Sequence, residues 1–270
     1  MSTAVVSPPA RSGSRPGSMV RHGLILAGRS VAKIRKSPET LLDVTLQPIL
    51  MLLMFVYLFG GAIAGSTDAY LQLVLPGLMV MIALTASLGT GFALSQDISK
   101  GVFDRFRSLP IARSAPLVGA VLGDIVRYAV SLAVLLGFGM LLGFRATTDP
   151  VSVLVAVLLV IAFGLSICWL SVLLAMLVRS PQAVMGMSMV VIWPLMFGSN
   201  IFAPTETMPG WLQAWVNISP ITQLSDTARG LMIGGEVAGP MVASLLWMAG
   251  LLLVLFPAAS WAYRRRLSRG

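Results

Sequence analysis

Asp124 and Arg127 stand three positions apart inside a long apolar run, about 116–144. On a helix that spacing puts both on one face, where they can pair. A lone arginine deep in a span costs about 2.5–3.5 kcal/mol on insertion scales, so the pair is either a structural bridge or a coupling and gating device. Both are expected near the cytoplasmic end of their span, where snorkelling relieves part of that cost. Thr45, Gln47, Thr85, Ser199 and Asn200 are further polar side chains on apolar runs, and could line a path through a membrane. Asp124, Ser199 and Asn200 do not form a recognisable set for an intramembrane protease or lipid transferase. The lone His22 lies in a basic segment and reads as a solvated surface residue, and the single Cys168 reads as a small apolar packing residue.

Motifs for energy conversion and metal chemistry are missing. The chain has three lysines, none of which completes a G-x-x-x-x-G-K-[ST] loop. There is no His-Glu zinc motif and no Gly-x-Ser-x-Gly elbow. No cofactor or metal is therefore expected on this chain, and any ATP chemistry must come from elsewhere.

The polar island Gln96–Ser114 is the second informative stretch. It gathers Asp97, Lys100, Asp104, Arg105, Arg107 and Arg113 between two apolar runs, with Phe103 and Phe106 interleaved. Phe103, Phe106 and Leu109 are spaced by three, one stripe of a short helix, and Asp104, Arg105 and Arg107 flank it. Apolar knobs framed by orienting charges are what a small protein–protein anchor requires. The other reading is an ordinary solvated loop.

These residues must be positioned by membrane helices. The chain has 270 residues, 57% hydrophobic and 11% charged, with mean hydropathy +0.89. A soluble domain carries roughly 25% charged residues. Apolar runs of about 20 residues indicate helices rather than the short alternating strands of a barrel. The expected fold is all-α and integral to the membrane, with six spans near 41–63, 70–95, 116–144, 151–178, 183–202 and 241–263. Residues 1–18 read as a disordered tail and 19–36 as an amphipathic helix in the headgroup plane. The membrane-spanning core covers 41–263, with a polar segment at 203–240 in which Trp211, Leu212 and Trp215 could form one face of a short helix. A basic tail, 264–270, ends the chain. Gly-x-x-x-Gly pairs at Gly61/Gly65, Gly119/Gly123 and Gly139/Gly143 offer weak signals of close helix packing.

Orientation follows from charge. Of 19 Lys and Arg, all but Arg127, Arg145 and Arg229 fall in the N-terminal region, the island, the turn at Arg179 or the C-terminal tail. Basic residues mark the cytoplasmic side. Both termini and the island are thus expected in the cytoplasm, which an even number of spans also requires. The net charge of +9 is then a topology signal and not a nucleic-acid surface.

Gly101-Val102-Phe103-Asp104-Arg105-Phe106-Arg107-Ser108-Leu109-Pro110, followed by Ala112-Arg113, resembles the cytoplasmic loop of type-2 ABC exporter permeases, in their daunorubicin-resistance (DrrB-like) branch. Gln47-Pro48 with Phe55-Val56-Tyr57-Leu58-Phe59-Gly60-Gly61 is similar to that branch's first span, and Ser219-Pro220 with Asp226 and Arg229-Gly230 to its last outer segment. Asp104 stands where many type-2 permeases have Glu, and Ser219-Pro220 where Asn-Pro is usual. The resemblance implies paired permease chains, identical or related, and separate cytoplasmic ATPase subunits that bind ATP and Mg. These would dock on the island through Phe103, Asp104, Arg105, Phe106, Arg107 and Leu109, and on the amphipathic helix. It also implies export of hydrophobic drugs, antibiotics or lipids across a bacterial plasma membrane. A proton-coupled carrier, with Asp124 as its titrating group, and an intramembrane lipid-modifying enzyme are the alternatives.

Overall fold

The computed structural model describes residues 38–100, 115–178 and 180–267. Eight α-helices stand among them: α1 Pro38–Ala64, α2 Thr67–Ser99, α3 Ala115–Leu141, α4 Pro150–Leu177, α5 Pro181–Phe197, α6 Gly210–Ile218, α7 Pro220–Ile233 and α8 Ala238–Leu267. A single 3-10 turn, Thr205–Thr207, precedes α6, and no strand occurs among the described residues. The local reasons are legible. Ser66, Asp149 and Ser180 accept hydrogen bonds from the backbone N–H of Ala69, Ser152 and Ala183, and so cap α2, α4 and α5. Pro150, Pro181 and Pro220 open their helices where a missing N–H costs nothing. Gly234, at φ +88°, lets the chain turn away after α7.

Five helices are long and apolar enough to cross a membrane: Val44–Ala64, Thr67–Ser99, Asp124–Leu141, Pro150–Leu177 and Ala238–Tyr263. These match the expected first, second, third, fourth and sixth spans. The fifth differs. Its helix stops at Phe197 and not at Phe202, and Gly198 caps it. The expected interfacial helix is α6, whose Trp211 is 77% exposed. The 14-residue helix α7 that follows it was not expected. The amphipathic segment 19–36, the island residues 101–114 and the tail 1–18 lie outside the described residues. Gln96–Ser99, at the start of the island, continue α2, and Lys100 caps it.

Helix α2 is the axis of the bundle and packs against α1, α3, α4, α5 and α7. Every residue from Val74 to Leu84 is buried, as a helix apolar on all faces demands. Its closest approach is to α4. A Cβ on Gly91 would lie 2.6 Å from both the Cβ and the carbonyl oxygen of Ser171. Of the Gly-x-x-x-Gly pairs, Gly61, Gly65 and Gly143 face open space, whereas a Cβ on Gly139 would run into Leu75 Cδ1 of α2.

A second tie holds the end of the bundle where α5 stops. The chain beyond α5 carries backbone carbonyls that belong to no helix and need donors. Arg229 on α7 supplies them: Nη2 donates to Asn200 O at 2.6 Å and to Ile201 O at 3.3 Å. Its Nε reaches Leu73 O on α2 at 3.0 Å, and its Nη1 reaches Asp226 Oδ1 at 3.0 Å. The Tyr70 hydroxyl of α2 donates to Phe202 O at 3.0 Å. Burial lowers the Arg229 pKa from its ordinary value, and the Asp226 carboxylate works against that shift. All three guanidinium nitrogens donate.

Two stability measurements check this packing. Gly91→Ala is expected to destabilise the folded chain by about 1–3 kcal/mol. Gly137→Ala, with nothing within 4 Å of the new methyl, should be neutral or mildly stabilising. Arg229→Lys keeps the charge but cannot reach both Leu73 O and the Asn200 and Ile201 carbonyls. It should lower the thermal midpoint clearly in detergent, whereas Arg145→Lys in the exposed loop should not.

Candidate functional site

Asp124 and Arg127 pair as their spacing predicts, with Nη2 and Oδ1 3.3 Å apart. Arg127 lies close to the middle of α3 and in the first turn of that helix's membrane-spanning stretch, Asp124–Leu141, and its Nη2 donates to the Ala86 carbonyl of α2. Helix α2 supplies the pair's remaining partners. The Thr90 hydroxyl donates to Asp124 Oδ2, and Gly89 leaves the gap that the guanidinium fills. A Cβ there would lie 2.9 Å from Arg127 Nη1. The side chains of Arg127 and Asp124 are 19% and 15% exposed. The Arg127 Nε is buried with no hydrogen-bond partner.

The exposed part of Arg127 belongs to the wall of a cavity of about 550 Å³ between α1, α2, α3 and α5. That is within the range of sites that take drug-sized molecules. Each helix contributes one stripe: Gln47, Met51, Met54 and Phe55 from α1; Met81, Thr85 and Gly89 from α2; Arg127 and Ser131 from α3; Met185, Met189, Trp193 and Met196 from α5. Phe202, beyond the α5 break, closes one end and stacks on Phe55 and Phe197, with ring centroids at 4.7 and 5.4 Å. The chamber is apolar, and six methionines give it a soft lining. Unbranched thioethers adapt to guests of different shape.

The sequence candidates divide. Gln47, Thr85 and Arg127 meet in this cavity. The Thr85 hydroxyl donates back to the Met81 and Ile82 carbonyls of its own helix. Thr45 lies on α1 and is not among the lining residues. Ser199 and Asn200 sit apart, in the polar knot where α5 ends. The Ser199 hydroxyl donates to Met196 O, and Asn200 Nδ2 donates to Asp226 Oδ1 at 2.6 Å. Asn200 also borders an outer cavity of about 390 Å³ with Glu206, Gln213, Asn217, Asp226 and Arg229. Phe103, Asp104, Arg105, Phe106, Arg107 and Leu109 lie outside the described residues.

The methionine and aromatic lining was not anticipated. Its signal was present: Met185, Met189, Trp193 and Met196 follow spacings of four, four and three, one face of a helix. A stripe of that kind is usually core. Chemically the site can bind and orient a molecule. Asp124 is committed to Arg127 and Thr90, Cys168 is sealed in the bundle, and no group of three or more His, Cys, Asp or Glu among the described residues could hold a metal.

Comparison with known proteins agrees with this reading. The chain is 42% identical over 257 residues to a protein of Streptomyces coeruleorubidus named daunorubicin resistance ABC transporter permease protein DrrB1, covering 94% of this chain and 91% of that one. It is 26% identical to the probable doxorubicin resistance ABC transporter permease protein DrrC of Mycobacterium tuberculosis, over 91% of this chain and 89% of that one. It is 28% identical to the putative transport permease ycf38 of Cyanophora paradoxa, over 77% and 72%. The ABC-2 type transporter family profile matches residues 22–233. With that match across most of its length and five helices able to cross a membrane, the chain is a multi-pass transport permease and belongs to the ABC-2 type transporter family.

Proposed function

We propose that the chain is the membrane subunit of an ATP-driven exporter that moves hydrophobic drugs, antibiotics or lipids out across the plasma membrane. The observation that carries this reading is the drug-sized, methionine-lined cavity between the membrane-spanning helices in a chain of this family. Family membership implies association with an ABC ATPase and with a permease partner, and the chain's own lack of a phosphate-binding loop is consistent with a separate ATPase.

In this reading six spans cross the bilayer. The fifth in chain order is α5, whose 17 residues rise about 25 Å, with the Arg229-clamped segment completing the passage. An even count returns the basic C-terminal tail to the side of the N-terminal region. The island then lies in the cytoplasm, where Phe103, Asp104, Arg105, Phe106, Arg107 and Leu109 receive the ATPase. Because α2 runs unbroken from Thr67 into the start of the island at Ser99, a push on the island is transmitted along a rigid rod to Thr85 and Gly89 in the cavity wall. The second permease chain, identical or related, completes the path. The pairing of Asp124 with a permanent cation speaks against the proton-carrier alternative.

The test is purification in mild detergent from the native host, followed by reconstitution. A cytoplasmic ATPase is expected to co-elute at about equal stoichiometry. Arg105→Ala and Phe106→Ala should each weaken that association about tenfold or more, as truncations of interface anchors do, with ATP-driven export lost in proportion. Normal association and export in both variants would remove the island from the coupling role. A chain that elutes alone in nanodiscs as well as in detergent would count against the exporter itself.

A further inference from the structure

We propose that Arg127 is the polar anchor of the cavity, and that the cavity takes amphipathic molecules whose apolar body carries an oxygen acceptor, an anionic oxygen above all, in preference to molecules carrying an ammonium group. The proposal deepens the reading of the cavity as the cargo site and rests on it.

Three observations converge. First, Arg127 is the one charged side chain among the described lining residues, and no carboxylate stands among them. Asp124 is not one of them; it bonds to Thr90 and pairs with Arg127 away from the lining. Second, the guanidinium is held in place before any guest arrives, by Asp124, by the Ala86 carbonyl and by the gap at Gly89. A guest need not pay for ordering a long side chain. Third, the chemistry of the lining is one-sided in charge. Arginine carries five N–H donors and no acceptor, so a guest oxygen meets a cationic donor group, whereas a guest ammonium meets like charge at Arg127 and only the neutral oxygens of Gln47, Thr85 and Ser131. The apolar surroundings strengthen both effects relative to water. The methionines take the body of the guest and set few demands on its shape, so the polar end supplies the selectivity.

Two sources could offer this chemistry, a membrane lipid headgroup or a free amphiphile, and the test separates them. The full chain is placed in phosphatidylcholine nanodiscs, and binding of pyrenebutyrate, pyrenebutanol and pyrenebutylamine is read by energy transfer from tryptophan, with empty discs as the blank. The three probes share one apolar body. Near neutral pH, wild-type protein should bind the acid about tenfold or more tightly than the amine, the scale of one charge-assisted hydrogen bond, with the alcohol between. Equal affinities, or a preference for the amine, would overturn the proposal without any variant being needed. The double variant Asp124→Asn/Arg127→Gln removes both charges together and should bring the three probes to parity. An undiminished acid preference in a folded double variant would also overturn the proposal. Met189→Trp fills the chamber and should abolish all three signals. Wild-type binding of all three by that variant would show that the cavity is not the site, which defeats the underlying reading and not the role of Arg127 alone. In discs containing phosphatidylglycerol, loss of pyrenebutyrate binding to wild type beyond that seen with the double variant would support the proposal with a lipid headgroup as the source. Equal effects on both would support it with a free amphiphile as the source.

Discussion

A guanidinium set among apolar helices needs fixed partners, and the surrounding structure is arranged to hold it. Arg127 is tied to a carboxylate one turn earlier on its own helix and to a backbone carbonyl on the next one. Breaking such a pair by removing one partner typically costs about 3–5 kcal/mol, because the other charge is left stranded. That penalty fixes the register of α3 against α2: Ala86 must present its carbonyl, Gly89 must be small, and Thr90 must reach Asp124. Once that register is set, the stripes on α1 and α5 that face the same side become the remaining walls of the chamber. The polar pair and the apolar cavity are thus one construction.

The end of the bundle where α5 stops repeats the logic with a different donor. Gly198 ends α5 before it has run the length of the other spans, and carbonyls of the chain beyond it are gathered by Arg229. This arginine is satisfied on every nitrogen by the protein itself, whereas Arg127 is not. Phe202 closes the chamber nearby: its carbonyl accepts from the Tyr70 hydroxyl while its ring stacks on Phe55.

Much of this was legible in the sequence for simple reasons. Span positions follow from apolar length, and the Asp124–Arg127 contact follows from a spacing of three. Gln47 and Thr85 were placed on a path because polar groups on apolar runs need a reason to be there, and both border the cavity. Ser199 and Asn200 were grouped with them by the same argument, yet they serve the α5 break and its polar knot. Sequence could not separate the two cases, because the distinction depends on where Arg229, nearly thirty residues later, is brought by α7. The Ala86 carbonyl that receives Arg127 is hidden from the sequence for a related reason: it belongs to another helix and cannot be seen from α3 alone. Helix α7 was missed because a polar, proline-bounded stretch reads as loop unless its buried stripe at Ile221, Leu224 and Ala228 is recognised.

If the methionine-lined chamber is the export path, as proposed above, it must open to one side of the membrane and then to the other as ATP is used. Thr85→Cys puts a thiol on its wall, and the native Cys168 is buried and offers little background. The decisive measurement is labelling of that thiol by a membrane-impermeant maleimide, added to either face of vesicles holding the permease with its ATPase. The account predicts labelling from the cytoplasmic face without nucleotide and from the outer face with ATP trapped on the complex. Labelling that ignores nucleotide, or a thiol reached from neither face in either state, would contradict it.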